Sequence, residues 1–167
     1  MEQFQVYNTI LRRWPKVRFD ELETGGNIYT TTIYVLMSAI IKIAREVRLP
    51  PGLTLFRGLG GDRTFPRSFH VSDAKGRKGV LEWGFMSTTA SKEIATKYSG
   101  IMEGKPFPTI FEIVPGAVDR GAIITGFSQY PGVPNQPSPH FFLSALNDSQ
   151  DLRCRRGGVP LSTVLIP

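Results

Sequence analysis

Leu53-Thr54-Leu55-Phe56-Arg57-Gly58-Leu59-Gly60-Gly61 is the stretch at which this chain changes texture. Residues 53–57 carry the apolar and β-branched side chains of a short strand. Gly58 to Gly61 follow as a flexible, glycine-rich turn, and Pro50-Pro51-Gly52 precede the run as a break. Upstream the periodicity is helical; downstream it is largely that of strands. The expected fold class is therefore α+β.

Immediately upstream, 27–47 is the strongest helical pattern in the sequence. Ile33, Leu36, Met37, Ile40, Ala44 and Val47 recur at three- and four-residue steps and form one apolar stripe. Asn27 or Thr30 suits the start as a cap. Lys42, Arg45 and Arg48 gather near the end, where cations complement the helix dipole. The prolines at 50 and 51 stop it. Such a helix packs a core and implies no chemistry. Further upstream, before a break at Gly25-Gly26, Phe4, Val6, Ile10 and Leu11 suit one face of a short helix ending before Pro15.

Downstream, 64–79 reads as a long basic connection and 80–88 as a second strand. Residues 91–98 read as a short helix, with Ser91 as N-cap and Ile94, Ala95 and Tyr98 on one face. Residues 108–114 and 122–127 read as third and fourth strands, and there are no internal repeats. From 133 onward the composition shifts. There is no lysine and no glutamate, and Pro134, Pro137 and Pro139 cluster. The only charges are Asp148, Asp151, Arg153, Arg155 and Arg156. The division expected is 1–132 as the folded domain and 133–167 as a divergent C-terminal tail. That tail is expected either to be poorly ordered or to patch the sheet edges imperfectly.

The whole chain has 167 residues, 41% hydrophobic and 20% charged, which suits one domain with one core and excludes global disorder. Its net charge of +6 reads first as a solvated surface, although it also suits phosphate-bearing ligands, nucleic acid or anionic membrane. The single cysteine, Cys154, excludes an intrachain disulfide and a cysteine-rich zinc site. His70 and His140 show no ligand spacing, so no metal is expected. No signal-peptide pattern is seen, and the uncharged run 28–41 is too short to span a bilayer. A soluble, cytoplasmic protein without a membrane partner is the expectation.

Two short motifs carry chemistry. Arg57 at a strand end beside glycines offers a rigid fork of donors to a phosphate or pyrophosphate, and glycine lets backbone approach a ligand. By itself it reads first as a surface ion-pair former. Ser87-Thr88-Thr89, after Trp83 and Phe85, places hydroxyls where they can bond a ribose or orient a carboxylate. By themselves these read first as caps of the following helix.

In this order, Leu55-Phe56-Arg57-Gly58 and Gly84-Phe85-Met86-Ser87-Thr88-Thr89 resemble the first two parts of the arginine–serine–glutamate signature of the NAD-dependent, arginine-specific mono-ADP-ribosyltransferases. Tyr7-Asn8 with Leu11-Arg12-Arg13, Tyr29-Thr30-Thr31-Thr32 and Ser128-Gln129-Tyr130-Pro131-Gly132 are also similar to that family. The resemblance covers residues 1–132. It implies the ADP-ribosyltransferase fold, with N-terminal helices packed on a split two-sheet β core and C-terminal strands incomplete. It implies a transferase that uses NAD as co-substrate, releases nicotinamide and passes ADP-ribose to an arginine of a protein substrate. By the same resemblance Arg57 and Ser87 are the catalytic pair. Arg57, Gly58, Ser87, Thr88 and Thr89 bind the NAD, with Ser87 under the nicotinamide ribose and both threonines supporting the strand. Tyr130 contacts the protein substrate.

That chemistry needs carboxylates, because the sugar develops positive charge and a protonated arginine is a poor nucleophile. The family supplies Glu-x-Glu directly after its Tyr-Pro-Gly turn. Here the positions hold Val133-Pro134-Asn135. Losing a positioned acid or base costs about 10²–10⁴-fold in rate. Little transfer is expected unless another carboxylate serves, and Glu82 and Glu112 are the candidates, each sitting in a strand-like run. The mismatch starts where the composition shifts. One event after Gly132, such as a frameshift, a retained intron or an alternative exon, would explain both; sequencing the transcript tests it. Two other readings stay open: an inactive relative that binds NAD or a protein partner, and a basic nucleic-acid-binding module, for which interleaved aromatics are sparse.

Overall fold

The computed structural model describes residues 3–60, 65–76, 79, 82–104, 108–115, 121–127, 140–143, 150–156 and 159–166, with backbone alone at 126 and from 140 onward. The chain is α+β. Three helices lead it: α1 (Gln3–Arg12), α2 (Lys16–Thr24) and α3 (Thr30–Glu46). The strands are β1 (Leu55–Leu59), β2 (Met86–Thr89), β3 (Thr109–Val114), β4 (Ala122–Ile123), β5 (His140–Leu143), β6 (Gln150–Arg156) and β7 (Val159–Ile166), with α4 (Lys92–Tyr98) between β2 and β3.

The strands make one antiparallel sheet in the order β4-β5-β2-β1-β3-β6-β7. β1 pairs with β2 on one side, Phe56 opposite Thr89, and with β3 on the other, from Leu55 opposite Ile113 to Leu59 opposite Thr109. Pairing with β3 takes in all five residues of β1, whereas pairing with β2 rests on one registered pair. β5 lies between β2 and β4, and β6 continues the sheet beyond β3. Backbone from 133–167 thus flanks the central strands on both sides.

Each face of the sheet carries a cluster of buried apolar side chains. Ile33, Ile40, Phe85 and Ala122 form one, with Tyr7, Leu11 and Met37 packed against it. Leu55, Phe69, Met86, Phe111 and Ile113 form the other. Consecutive residues feed opposite clusters: Phe85 and Met86, Ala122 and Ile123. This is the alternation of a pleated strand.

α3 uses the stripe read from its sequence. Ile33 and Ile40 are buried, and Met37 and Ala44 pack beside them. Leu36 and Val47, counted in the same stripe, lie exposed at its margin. Neither proposed cap acts as one. Thr30 is the first helical residue, and the N-cap is Tyr29, in the left-handed region at φ 50° with no side-chain cap bond. Asn27 accepts the Tyr29 N–H instead, at 3.0 Å, and so shapes the turn before the helix.

Other boundaries shift for local reasons. The second strand starts only at Met86, because the N–H groups of Gly84 and Phe85 are taken by side chains, Glu82 Oε1 at 2.7 Å and Asn8 Oδ1 at 2.5 Å. The fourth strand stops at Ile123 and gives way to a 3-10 turn, Thr125–Phe127. In α4 Ser91 caps as expected, accepting from the Ile94 N–H at 3.3 Å, but Tyr98 is exposed and Ser99 is buried with Ala95 in its place. α2 has no buried residue and no apolar period; its side chains pair locally, Lys16 with Asp20 and Arg18 with Glu21. Among the described residues, no helix is long and apolar enough to cross a membrane.

Candidate functional site

β1 and β2 are neighbours in the sheet, so the two motifs that stood 30 residues apart in sequence meet. Arg57 Nη1 donates to the backbone carbonyl of Ser87 at 2.9 Å, in a half-buried setting. The pleat explains why the contact goes to the carbonyl. Leu55 and Leu59 point into the Phe111–Ile113 cluster, and Arg57, midway between them, takes the same face. On β2 Met86 takes that face, so the Ser87 side chain takes the other. A charge-assisted bond of this kind contributes about 1.5–3 kcal/mol and fixes the guanidinium relative to β2.

Gly58 is glycine for a packing reason visible in the fold. A Cβ there would lie 1.9 Å from the Ala95 carbonyl oxygen and 2.6 Å from the Ser99 nitrogen. The carboxyl end of α4 therefore sits directly on β1. Thr88 and Thr89 are 3% and 5% exposed, so both lie inside the fold. The Thr89 hydroxyl accepts the Ser91 N–H at 3.1 Å and ties β2 to the start of α4. Ser87, between Met86 and these threonines, is half-buried.

Of the two candidate carboxylates for the missing pair, Glu82 is committed elsewhere. Arg12 grips it with two bonds, Nε to Oε1 at 2.8 Å and Nη2 to Oε2 at 3.0 Å, and Oε1 also accepts the Gly84 N–H. Glu112 lies on β3 opposite Phe56, half-buried and engaged in its own interaction. Tyr130, the 128–132 turn and Val133-Pro134-Asn135 lie outside the described residues. Among the described residues no group of His, Cys, Asp and Glu side chains could hold a metal ion.

Asn8 and Arg12 reach the start of β2 from α1. In the sequence both stand within the resemblance, Tyr7-Asn8 and Leu11-Arg12-Arg13, with no role of their own. The available signal was a buried-side asparagine and an arginine four residues apart, which share one helix face. Comparison with family models, with curated proteins and with solved structures returns no match for this chain.

Proposed function

We propose that this chain is an NAD-dependent arginine ADP-ribosyltransferase by type, built on the α+β fold of that class. In this reading the Arg57–Ser87 strand pair forms its NAD cleft. The reading is carried by one observation: the Arg57 guanidinium is anchored on the Ser87 carbonyl of the adjoining strand. A guanidinium held this way keeps donors directed at a pyrophosphate laid along the two strands. Because its side chain leaves β2 on the face opposite to Arg57, Ser87 serves this cleft through its carbonyl rather than by lying beneath the ribose, and Tyr130 meets the protein whose arginine accepts ADP-ribose.

The reaction breaks the nicotinamide–ribose bond and forms a bond from C1 of the ribose to a guanidinium nitrogen, which loses a proton. A carboxylate is required to offset the developing positive charge and another to take the proton. Val133 and Asn135 supply neither, and Glu82 is tied to Arg12 and Gly84. The chain in this reading binds NAD and transfers ADP-ribose slowly.

The test is an assay with labelled NAD and agmatine as arginine acceptor, beside an NAD titration. Wild type is expected to bind NAD with little transfer, and V133E/N135E to transfer faster by about 10²-fold or more. Equal inertness of both folded proteins rejects the residue assignment. Absence of NAD binding together with salt-dependent binding of DNA or RNA would favour the nucleic-acid reading.

A further inference from the structure

α1 and the lead-in to β2 are joined by an unusual density of polar contacts across 70 or more residues of sequence. Asn8 Oδ1 accepts the Phe85 N–H at 2.5 Å. One helical turn on, Arg12 holds Glu82 through both carboxylate oxygens, and Glu82 Oε1 receives the Gly84 N–H at 2.7 Å. Two consecutive backbone N–H groups are thus fixed from α1, one directly and one through a carboxylate. The fit is close. A Cβ at Gly84 would lie 2.5 Å from Asn8 Oδ1 and 2.8 Å from Arg12 Nε.

Asn8 is 3% exposed, and its Nδ2 has no hydrogen-bond partner among the described residues. An unmade bond on a buried amide is costly, so general stabilisation does not account for this side chain. Its acceptor oxygen does. The strand has no slack beyond that point: Ser87 is only two residues after Phe85, and extended backbone transmits a shift along its length. The Ser87 carbonyl is the group that anchors Arg57.

We infer that Asn8, Arg12 and Glu82 form a latch that positions the start of β2 and, through it, the Ser87 carbonyl on which Arg57 rests. They are positioning residues. The consequence for NAD rests on the function proposed above; the latch itself does not.

Hydrogen exchange of the full chain reads the latch without any ligand. Asn8→Leu matches the shape of the amide and removes the acceptor. It is expected to speed exchange at 84–87 by about tenfold or more, with 109–114 on β3 changed by less than about twofold. Asn8→Asp, which keeps an acceptor for Phe85, is expected to restore protection. If Asn8→Leu does not fold, Glu82→Leu at its half-exposed site removes the acceptor of the Gly84 N–H and the anchor of Arg12, and gives the same reading. Unchanged exchange at 84–87, or an equal rise on β3, overturns the latch. An NAD titration of the same proteins follows. Affinity about tenfold weaker in Asn8→Leu and near wild type in Asn8→Asp supports positioning. Wild-type affinity in a variant whose 84–87 segment exchanges fast overturns it. If wild type binds no NAD, the proposed function falls, and the exchange data alone decide the latch.

Discussion

At the scale of single residues, the Arg57–Gly58 pair divides two jobs between adjacent positions. Arg57 reaches across to β2, while Gly58 opens the other face of β1 to α4. Gly58→Ala places a methyl group against backbone rather than a movable side chain. It is expected to cost about 1–3 kcal/mol, read as a lower denaturation midpoint with unchanged slope. Arg57→Lys tests a different property. It keeps the charge and gives up the planar fork, so the bond to the Ser87 carbonyl and the bidentate geometry cannot be held together. On the proposed function, affinity for NAD is expected to fall about tenfold, or about 1.4 kcal/mol, with stability little changed. An equal affinity would mean that only the charge matters.

At the scale of elements, legibility followed the strength of the local pattern. The α3 stripe was readable because a 3.6-residue period over 17 residues leaves few alternatives. Ile40→Ala within it is expected to cost about 2–5 kcal/mol. Tyr34→Ala on the open side of the same helix should stay within about 0.5 kcal/mol. Thermal or denaturant unfolding of both separates the two faces. α4 was readable from its Ser91 cap, and β1 and β3 from short apolar runs between breaks. α2 was not, because a helix that buries nothing has no period to read. The late start of β2 was not legible either. It depends on Asn8, 77 residues away, taking the Phe85 N–H out of the ladder. In the candidate site, the types of Arg57 and Ser87 were readable, but the contact between them was not. Which face each takes is set by the register of β1 on β2, with Phe56 opposite Thr89, a pairing that neither strand encodes alone.

At the scale of the molecule, the two apolar clusters are not independent cores. Both draw on the same backbone, since Phe85 and Met86 leave the chain on opposite faces and so do Ala122 and Ile123. Loosening either face frees a strand that the other face needs. Polar links reinforce this: Arg12 and Asn8 join α1 to the lead-in of β2, and Arg57 joins β2 to β1. Unfolding is therefore expected as one transition. Far-ultraviolet circular dichroism, which follows the helices, and the phenylalanine bands of the near-ultraviolet spectrum, which include the Phe69–Phe111 side, should share one midpoint. Ile40→Ala and Ile113→Ala, one in each cluster, should lower that common midpoint in both probes. Because the two side chains lie on opposite faces and share no neighbour cluster, their separate costs should add to within about 0.5 kcal/mol. Two midpoints that move independently, each with its own mutation, would show instead that the sheet does not couple its faces.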